Sequence, residues 1–514
     1  MIRAASAHAV SRPLGALLLA SAAACAPLGP NFSEPDIAWL AAWQPQLYGQ
    51  VSWDPQADNI SQWWRRFGDP VLDDLLAQAR FENPDLRIAG LRILESRALL
   101  GIATGLKYPQ LQQINASGAY VSEYIDGGPS DGHRDYRTGD AAFDIQWEMD
   151  FWGRFRRGIE SADAAYFASV ANQRDVQVLL MAQVAILYYG YKTTLQRIDI
   201  ARDNVALQER SLEITRKLFE SGQESELDLQ QARTQYLATL ASIPDLELDL
   251  VRQRNALCAL LGRAPGDLPE LANVDGRLPA PGQILLREMP ANLLLRRPDV
   301  RRAAWQAASQ SAQVGVALTD LYPAISLFGT VGWSGNSLDS VGDVSRLVAG
   351  PALTWNIFSY GRLENNVRVQ DARLQQALES FRATVFGAAR EIDDAASRID
   401  QTGARQNILD ESLVSAERSL EIATRQYQEG YADFQRVLDA QAAVFSQSDL
   451  VALNRGEHVA AIIDLYTSLG GGWREVTIDD VIPPEVREQM RERTDWGDLL
   501  EAPLPLPPDG GQAP

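Results

Sequence analysis

An internal duplication constrains this sequence more than any other feature. Three landmarks recur at one offset of 208 residues (361 − 153 = 208), without a gap between them. They are a Gly-Arg pair, a Ser-Leu-Glu-Ile tetrapeptide and a Leu-Gly pair, at 153–154, 211–214 and 261–262 in the first copy and at 361–362, 419–422 and 469–470 in the second. Matches held in register over this length indicate two copies of one structural unit. The fold must therefore be built twice.

Each copy carries a long helical period. From Leu374 to Tyr427 apolar residues are spaced alternately four and three apart, and from Leu180 to Phe219 they keep the same phase. Sustained apolar spacing of this kind is typical of a coiled-coil seam. The stretch from Gly361 to Gly430 would span roughly 100 Å as a helix, so it must pack along partners for its whole length. Glycine tolerates positive φ, so Gly222 and Gly430 are predicted turns. Each copy then contains an antiparallel helical hairpin, at 153–262 and 361–470.

Alternation of apolar and polar residues predicts strands at about 110–151 and about 323–358. In the clearest of them one face is apolar (Phe143, Ile145, Trp147, Met149, Phe151) and the other is polar (Asp144, Gln146, Glu148, Asp150). Pro351 predicts a strand start or an irregular point. Between Tyr108 and Trp147 the first copy has six residues more than the second, because the offset falls from 214 to 208. Insertions collect in loops, so these residues are expected in the loop between two strands.

The first 68 residues are expected to form a leader and an arm. Residues 1–24 have the pattern of a signal peptide, with two arginines, an apolar run and small residues before Cys25. A lone cysteine at this junction favours lipidation of Cys25, and Ala26 then points to the outer membrane. Ordinary cleavage after the Ala-x-Ala site at 22–24 is the alternative. Residues 25–68 carry five tryptophans, which predicts an extended arm held on the body by aromatic burial.

The strands raise the question of a membrane. No run of 18 apolar residues occurs after the predicted signal peptide, so no spanning helix is expected. A soluble sheet with one wet face would show the same alternation as membrane strands. Four strands cannot close a barrel, and an open edge is not stable in lipid. If the strands span a bilayer, three copies would give about 12 strands, an even number that suits such barrels. The acidic face would then line a lumen and concentrate cations.

Several motifs resemble those of TolC-like outer-membrane efflux factors of the NodT/OprM lipoprotein type. They are Cys25 followed by Gly29-Pro30, Trp63-Trp64 with Phe67-Gly68-Asp69-Pro70, Arg296-Arg297-Pro298-Asp299-Val300, Tyr322-Pro323-Ala324, and Gly350-Pro351 running to Trp355, Phe358 and Gly361-Arg362. The resemblance covers about residues 25–475. It implies an α+β fold in which a homotrimer closes a 12-stranded outer-membrane β-barrel, four strands per chain, above a long α-helical coiled-coil barrel in the periplasm.

The same resemblance implies the exit duct of a tripartite efflux pump. Its partners would be a periplasmic membrane-fusion adaptor, an inner-membrane transporter of the RND type and outer-membrane lipid. The outer-membrane component of type I protein secretion and a structural coiled-coil envelope protein are the alternatives; the tryptophan-bearing strands argue against a pure scaffold. The repeats would occupy 69–265 and 266–475, each with equatorial helices, followed by an acidic, proline-rich tail at 476–514 that is expected to be loosely ordered.

An enzyme is not expected, because the sequence holds no phosphate loop, dinucleotide turn, nucleophile elbow or paired His of metal spacing. No cofactor or metal is therefore expected. The net charge of −20 argues against a nucleic-acid partner. His133 is placed in a surface loop, His458 on a helix, and Cys258 on an apolar helix face as a small buried hydrophobe.

The hairpin tips are the candidate functional site. The resemblance implies that a Tyr three residues before the second turn glycine, and acids six and nine residues after it, close the duct. Tyr427 and Asp439 match, whereas Arg436 stands where the other acid is expected. Asp228 occupies the place equivalent to Arg436 in the first copy. These four residues are expected to form a periplasmic gate, and Gly222 and Gly430 to mark the adaptor contact. Ordinary solvated charges worth less than about 1 kcal/mol each are the alternative.

Overall fold

Two repeats of helices and strands make up the fold. The computed structural model describes residues 27–40, 43, 51–53, 60–127, 132–279, 284–286, 293–337 and 344–504. The first part contains β1 (Val51–Trp53), a 3₁₀ helix (Ile60–Phe67), α1 (Pro70–Glu82), α2 (Pro84–Gly105), β2 (Leu111–Ile125), β3 (Gly132–Glu148), α3 (Arg154–Glu220) and α4 (Glu226–Leu260). The second contains β4 (Ile284–Leu286), α5 (Pro298–Thr319), β5 (Ala324–Asn336), β6 (Val344–Thr354), α6 (Arg362–Gln428) and α7 (Phe434–Ser468). A short 3₁₀ turn, Pro269–Leu271, lies between the repeats.

The two copies are alike down to single hydrogen bonds. Helices α3 and α6 have 67 residues each, and α4 and α7 have 35 each. The indole of Trp147 donates to the carbonyl of Lys107 at 3.2 Å, and the indole of Trp355 donates to that of Leu321 at 3.0 Å. Both tryptophans tie the end of a strand hairpin to the segment that precedes its first strand. The repeat read from the sequence is thus a repeat of structure.

The helices begin where the sequence offers caps. The carboxylate of Asp69 accepts from the backbone N–H of Val71 at 3.1 Å and starts α1. The side-chain oxygen of Asn83 accepts from the N–H of Leu86 at 2.9 Å and starts α2. Proline occupies the first position of both helices, where its missing N–H costs nothing.

Four antiparallel strands form one sheet in the order β2-β3-β5-β6. Strands β2 and β6 are its edges. Pro351 pairs with Leu327 inside β6, three residues before the strand ends. Of the two predicted possibilities, a strand start or an irregular point, the strand start is therefore excluded, and an edge strand accommodates a residue that donates no backbone hydrogen bond. A separate two-stranded parallel sheet joins β1 to β4.

The six extra residues of the first copy do not lengthen the loop, so that expectation is wrong. Strands β2 and β3 have 15 and 17 residues, against 13 and 11 in β5 and β6. Only six residues, 126–131, separate the first pair and seven, 337–343, the second. The pairing of β3 with β5 ends at Thr138–Asn336, and the β2–β3 hairpin continues beyond it. His133 lies on this extension, paired with Tyr124, and not in a loop.

Two strand ends also differ from the prediction, since β3 stops at Glu148 and β6 at Thr354. Beyond β3 the carboxylate of Asp150 accepts from the backbone N–H groups of Phe155 and Arg156, both at 3.0 Å. Asp150 therefore caps the start of α3 and does not extend the polar sheet face. A carboxylate at a helix N-terminus is favoured by the helix dipole.

An aromatic core lies where the hairpins meet the short helices α1, α2 and α5. Trp63 is fully buried and stacks on Tyr466, with ring centroids 5.6 Å apart and 5° between the planes. In the arm, Trp39 stacks on Phe386 of α6 at 5.3 Å. Aromatic burial thus holds the described parts of the arm on the body.

The C-terminal segment is not loosely ordered up to residue 504, which corrects the expectation from its composition. It forms α8 (Ile478–Val481), α9 (Pro484–Arg493) and a 3₁₀ turn (Gly497–Leu500) against α2. Five of its apolar residues are buried, Ile478, Val481, Ile482, Met490 and Leu500, and Val486, Trp496 and Leu504 are partly buried against the same core. Arg97 of α2 donates to the carbonyl of Ala502 at 2.9 Å. Burial of these spaced apolar side chains stabilises the segment, although its average composition is acidic and rich in proline. The end of the predicted tail, 505–514, lies outside the described residues.

Among the residues described, no helix is long and apolar enough to cross a membrane.

Candidate functional site: hairpin tips and sheet faces

Both hairpin tips are built by one turn geometry. Gly222 and Gly430 have φ of +75° and +78°. The N–H of Gly222 donates to Phe219 at 2.9 Å and that of Gln223 to Leu218 at 2.8 Å. The second tip repeats this pattern, from Gly430 to Tyr427 at 3.0 Å and from Tyr431 to Gln426 at 2.8 Å. This pair of bonds satisfies the last carbonyls of a helix and needs a residue that tolerates positive φ. The predicted turns are confirmed, and both are exposed.

A small apolar cluster joins the two hairpins just above these turns. Its buried members are Leu212, Ala232, Ala423, Phe434, Val437 and Leu438. They come from all four long helices, so the tips pack on one another and not only within each hairpin. Gln235 adds a polar bridge, donating to the carbonyl of Leu438 at 3.0 Å.

Tyr427 lies on the edge of this cluster and bonds across the hairpins. Its ring lies 5.2 Å from that of Phe434, and its hydroxyl donates to Glu224 Oε1 at 2.8 Å. Burial, followed by this hydrogen bond to Glu224, raises the pKa of the Tyr427 hydroxyl well above its ordinary value. The phenol therefore stays protonated and remains a donor.

Glu224 is the tip residue that sequence reasoning missed. It stands two residues after Gly222, and its equivalent after Gly430 is Ala432 (224 + 208 = 432). The sequence signal was a charged residue present in only one of the two repeats. A search for positions that match between the repeats does not find it. The hydrogen bond from Tyr427 to Glu224 therefore joins the two repeats of one chain at a position where their sequences differ.

The other three predicted gate residues have local partners. The Ser225 hydroxyl accepts from the backbone N–H of Asp228 at 3.2 Å and donates to the Asp228 carboxylate. Arg436 lies 3.6 Å from Asp433, and Asp439 accepts from Gln435 at 2.8 Å. Within the described part of one chain, no hydrogen bond or ion pair joins any two of Tyr427, Asp228, Arg436 and Asp439. Their partnership as a gate stays a prediction.

One face of the four-stranded sheet is polar. Asp144, at its centre, accepts from Asn115 at 2.8 Å on β2 and from Thr330 at 2.7 Å on β5. Asp140 accepts from Ser117 at 2.7 Å. Gln146 and Glu148 fall on the same face, since residues two apart in a strand point to one side.

The opposite face is apolar and exposed in the single chain. It carries Ile114, Tyr120, Phe143, Ile145, Trp147, Leu327, Val331, Trp333, Leu347 and Leu353, all of them exposed. An exposed apolar surface of this extent marks a region that faces lipid or another protein. The sheet thus has one face for water and one for an apolar environment.

The start of the arm threads between the two repeats. Arg157, 2% exposed, donates to the carbonyls of Leu28 at 2.9 Å and Gly29 at 3.1 Å. A Cβ on Gly153 would lie 2.4 Å from Pro27, and one on Gly315 would lie 2.8 Å from the Leu28 carbonyl. The backbone therefore passes through a slot that only glycine leaves open. Cys25 lies outside the described residues.

The remaining candidates have structural roles. Cys258 is buried and contacts the carbonyl of Gly266 at 3.6 Å. His458 shares a hydrogen bond with Thr402 at 2.8 Å, and burial lowers the pKa of its imidazole. In the portion of the chain that the structure covers, no cluster of three or more His, Cys, Asp or Glu could hold a metal.

Comparison with known proteins gives concordant matches. The profile of a family described as outer membrane efflux protein matches residues 75–263 and 289–471. The cation efflux system protein CusC of Escherichia coli O6:H1 is 30% identical over 464 residues, which are 87% of this chain and 96% of CusC. The probable outer membrane lipoprotein SilC of Salmonella typhimurium is 29% identical over 470 residues, 88% of this chain and 97% of SilC. The solved structure of the outer-membrane channel OprN is similar with a TM-score of 0.79 at 31% identity, over 87% of this chain and 99% of OprN.

Proposed function

The chain belongs to the outer membrane efflux protein family and is an outer-membrane efflux channel, and we propose that it acts as a homotrimeric exit duct of a tripartite pump. In this assembly an inner-membrane transporter and a periplasmic adaptor deliver substrates to the duct, which releases them outside the cell.

The sheet carries this proposal. Its two edges, β2 and β6, have no partner strand within the described chain, and its apolar face is exposed. Unpaired strand edges are not stable in lipid, so β6 of one copy pairs with β2 of the next. Closure by three copies gives about 12 strands with the polar face inward. Asp144 and its neighbours then line the lumen.

The helices continue the duct below the membrane. A helix of 67 residues is roughly 100 Å long, and α3 and α6 both have that length. Such helices need lateral partners throughout. Three copies of four helices supply them by closing a tapered tube whose narrow end is formed by the tips.

The tips are the part that an adaptor can reach. Leu227 and Tyr431 are large apolar side chains exposed beside Gly222 and Gly430. An RND-type transporter is the inner-membrane partner that the resemblance implies. We assign the adaptor contact to these two turns and the gate to Tyr427, Glu224, Asp228, Arg436 and Asp439.

Lipidation of Cys25 is part of the same proposal. Pro27 contacts Gly153, which lies between the sheet and α3. Pro27, two residues after Cys25 in the sequence, therefore lies at the level at which the sheet meets the helices. That level is the inner surface of the outer membrane in the proposed assembly. SilC, similar over most of its length, is described as a lipoprotein.

Fractionation and conductance test the function together. The full chain is expected in outer-membrane fractions as an oligomer that survives mild detergent at low temperature and dissociates on boiling. Reconstituted in planar bilayers, it should give small currents. A monomer that stays in the periplasmic fraction and carries no current would instead support a structural envelope protein.

A further inference from the structure

The apolar face of the sheet becomes polar at one level of the β2–β3 hairpin. On β3 the residues of this face are all apolar from Trp147 to Gly139, and the next one is Arg137. From there on the face carries three cross-strand pairs, Tyr120 with Arg137, Ser122 with Asp135 and Tyr124 with His133. Within the four described strands, Arg137 and Asp135 are the only Arg, Lys, Asp or Glu residues on this face.

Arg137 lies at the height of the outer headgroups when the sheet is placed in the proposed barrel. It stands ten residues from Trp147 along β3 (147 − 137 = 10), which is about 34 Å of strand. For strands tilted by about 40°, this is about 26 Å along the barrel axis. The apolar band of outer-membrane barrels is about 25 Å tall and has aromatic residues at both borders. Trp147 and Arg137 therefore mark the two borders of the band.

The guanidinium of Arg137 is exposed, and it has no carboxylate partner among the residues described. Asp135, two residues away on the same face, is instead hydrogen-bonded to the hydroxyls of Ser122 and Tyr120. The backbone of Arg137 is fixed, because its N–H donates to Ser337 Oγ at 2.9 Å and its carbonyl accepts from the Ser337 N–H at 3.0 Å. A guanidinium on a fixed strand, without a carboxylate of its own, suits a phosphate, which it binds through two parallel hydrogen bonds.

Exposed aromatic rings surround this guanidinium. Tyr120, its direct cross-strand neighbour, is 66% exposed, and Tyr124 is 68% exposed. His133 meets the Tyr124 ring edge-on, with the ring centroids 5.6 Å apart. Tyrosine combines an apolar ring face with a hydrogen-bonding hydroxyl and is favoured at membrane surfaces. The same combination fits a sugar ring, whose C–H groups pack on an aromatic face while its hydroxyls form hydrogen bonds.

Resting on the proposed trimer in the outer membrane, we propose that this surface binds a phosphorylated glycolipid of the outer leaflet, one molecule per copy. The phosphate bonds to Arg137, the sugar packs on Tyr120 and Tyr124, and the acyl chains lie along the apolar residues below them. The chain as a whole repels an anionic lipid, since its net charge is −20. A local cation is therefore needed to hold one.

Native mass spectrometry of the full-length trimer, titrated with purified lipid A in mild detergent, tests the site. Lipid A carries phosphates on a pair of sugar rings. The parent should bind up to three molecules per trimer, and Arg137→Gln should bind them about tenfold more weakly, because a charge-assisted hydrogen bond is lost. Arg134→Gln is the matched control, since Arg134 is also exposed and lies on the same strand but on the opposite face. It should bind lipid A as the parent does.

Two further lipids show which part of the molecule is recognised. Dephosphorylated lipid A should bind to the parent as weakly as lipid A binds to Arg137→Gln. Phosphatidylglycerol has a phosphate but no sugar, so it should bind to the parent more weakly than lipid A. Tyr124→Leu should reduce this preference for lipid A, because it removes an aromatic face and keeps an apolar side chain.

Equal losses in Arg137→Gln and Arg134→Gln would overturn the proposal, as would equal binding of phosphorylated and dephosphorylated lipid A. Equal binding of phosphatidylglycerol and lipid A would overturn the assignment to a glycolipid. The state of the parent separates these outcomes from failure of the proposed function. A parent that forms a trimer in the outer membrane and takes up no lipid A removes the site and leaves the duct, whereas a monomeric periplasmic parent removes both.

Discussion

Arg297 donates a hydrogen bond from Nη1 to the backbone carbonyl of Ser468, at 2.6 Å, and so closes the C-terminus of α7. The first copy has the same contact with a smaller side chain, since Asn83 Nδ2 donates to the carbonyl of Leu260 at 2.9 Å. The last carbonyls of a helix lack intrahelical partners, and a cation there is favoured by the helix dipole. Both repeats therefore lock their returning helix onto the start of a short equatorial helix.

Replacing Arg297 should destabilise the second repeat. Its guanidinium also pairs with Asp299 and Glu391, each at 2.8 Å. Burial opposes its charge, but hydrogen bonds to Asp299 and Glu391 hold the pKa of Arg297 above its usual range. Arg297→Gln leaves Asp299 and the Ser468 carbonyl without their cation, at a cost of about 3 kcal/mol. Thermal dissociation of the trimer measures this. Arg277→Gln, at a side chain 92% exposed, is the control and should leave the dissociation temperature of the parent unchanged. Equal losses in Arg277→Gln and Arg297→Gln would contradict the stabilising role of Arg297.

The α+β fold class and the efflux role were predictable from the sequence and are confirmed by the family profile and by the likeness to OprN. The efflux role followed from the resemblance of the motifs to a known family, whereas repetition made the two helical hairpins predictable, because each landmark occurs twice and fixes its own register. Gly222 and Gly430 illustrate this, since one hydrogen-bond pattern ends both hairpins.

Contacts that occur in only one of the two repeats could not be predicted in this way. Glu224 has no acidic counterpart, and its bond with Tyr427 was therefore missed. Asp150 continues the alternation of β3 but caps α3, because a free helix N-terminus competes with the strand for its carboxylate. The acidic segment after Thr477 contains few apolar residues, yet Val481 fits the space left by Gly90. Such contacts depend on tertiary packing that local pattern does not encode.

Loss of the Tyr427 hydroxyl should loosen the tip. Tyr427→Phe removes the bond to Glu224, worth about 1 kcal/mol for a partly exposed pair, and shifts the tip towards an open population. Combined with Asp228→Ala it should raise single-channel conductance in planar bilayers and the entry of vancomycin into cells. Tyr431→Phe, at an exposed tyrosine of the same turn, should leave both unchanged.

The pH dependence of this hydrogen bond follows from the direction of the Tyr427 pKa shift. The pKa of Tyr427 is raised in the folded protein, so its contribution is complete below the unfolded value of about 10 and is lost only as pH rises through the raised pKa. Between neutral pH and about pH 9 the Tyr427→Phe effect should therefore stay constant. An effect that disappears within this range, or parent conductance in the double variant with an intact trimer, would exclude Tyr427 from the gate.

Asp144 should set the ion preference of the lumen. It lies on the polar sheet face with Asp140, Gln146 and Glu148, and a carboxylate-lined passage concentrates cations. Reversal potentials at low salt should show cation preference in the parent and a weaker one in Asp144→Asn. Asp498→Asn, outside the sheet, is the control. Anion preference in the parent would mean that the sheet faces the other way.

Cys25→Ser should separate anchoring from insertion. A barrel holds itself in the bilayer, whereas acyl chains add reversible affinity. Metabolic labelling with palmitate should disappear in the variant, while the trimer stays in the outer-membrane fraction. Label retained in Cys25→Ser would show that another residue carries the lipid. Release of the trimer would show that the sheet does not hold it in the membrane.

The slot for the arm should be sensitive to a single methyl group. A Cβ on Gly315 would lie 2.8 Å from Arg157 Cγ and from the carbonyl of Leu28, so Gly315→Ala should push the arm out of its seat. Gly158, in α3, has no atom within 4 Å of such a Cβ. Gly158→Ala should therefore stabilise the helix by about 1 kcal/mol.

Limited proteolysis at sites N-terminal to Gly153, compared in the two variants, measures directly how firmly the arm is held. Faster cleavage in Gly315→Ala and unchanged cleavage in Gly158→Ala are expected, because only the first change enters the space that the arm occupies. Equal cleavage in both would mean that Arg157 alone holds the arm.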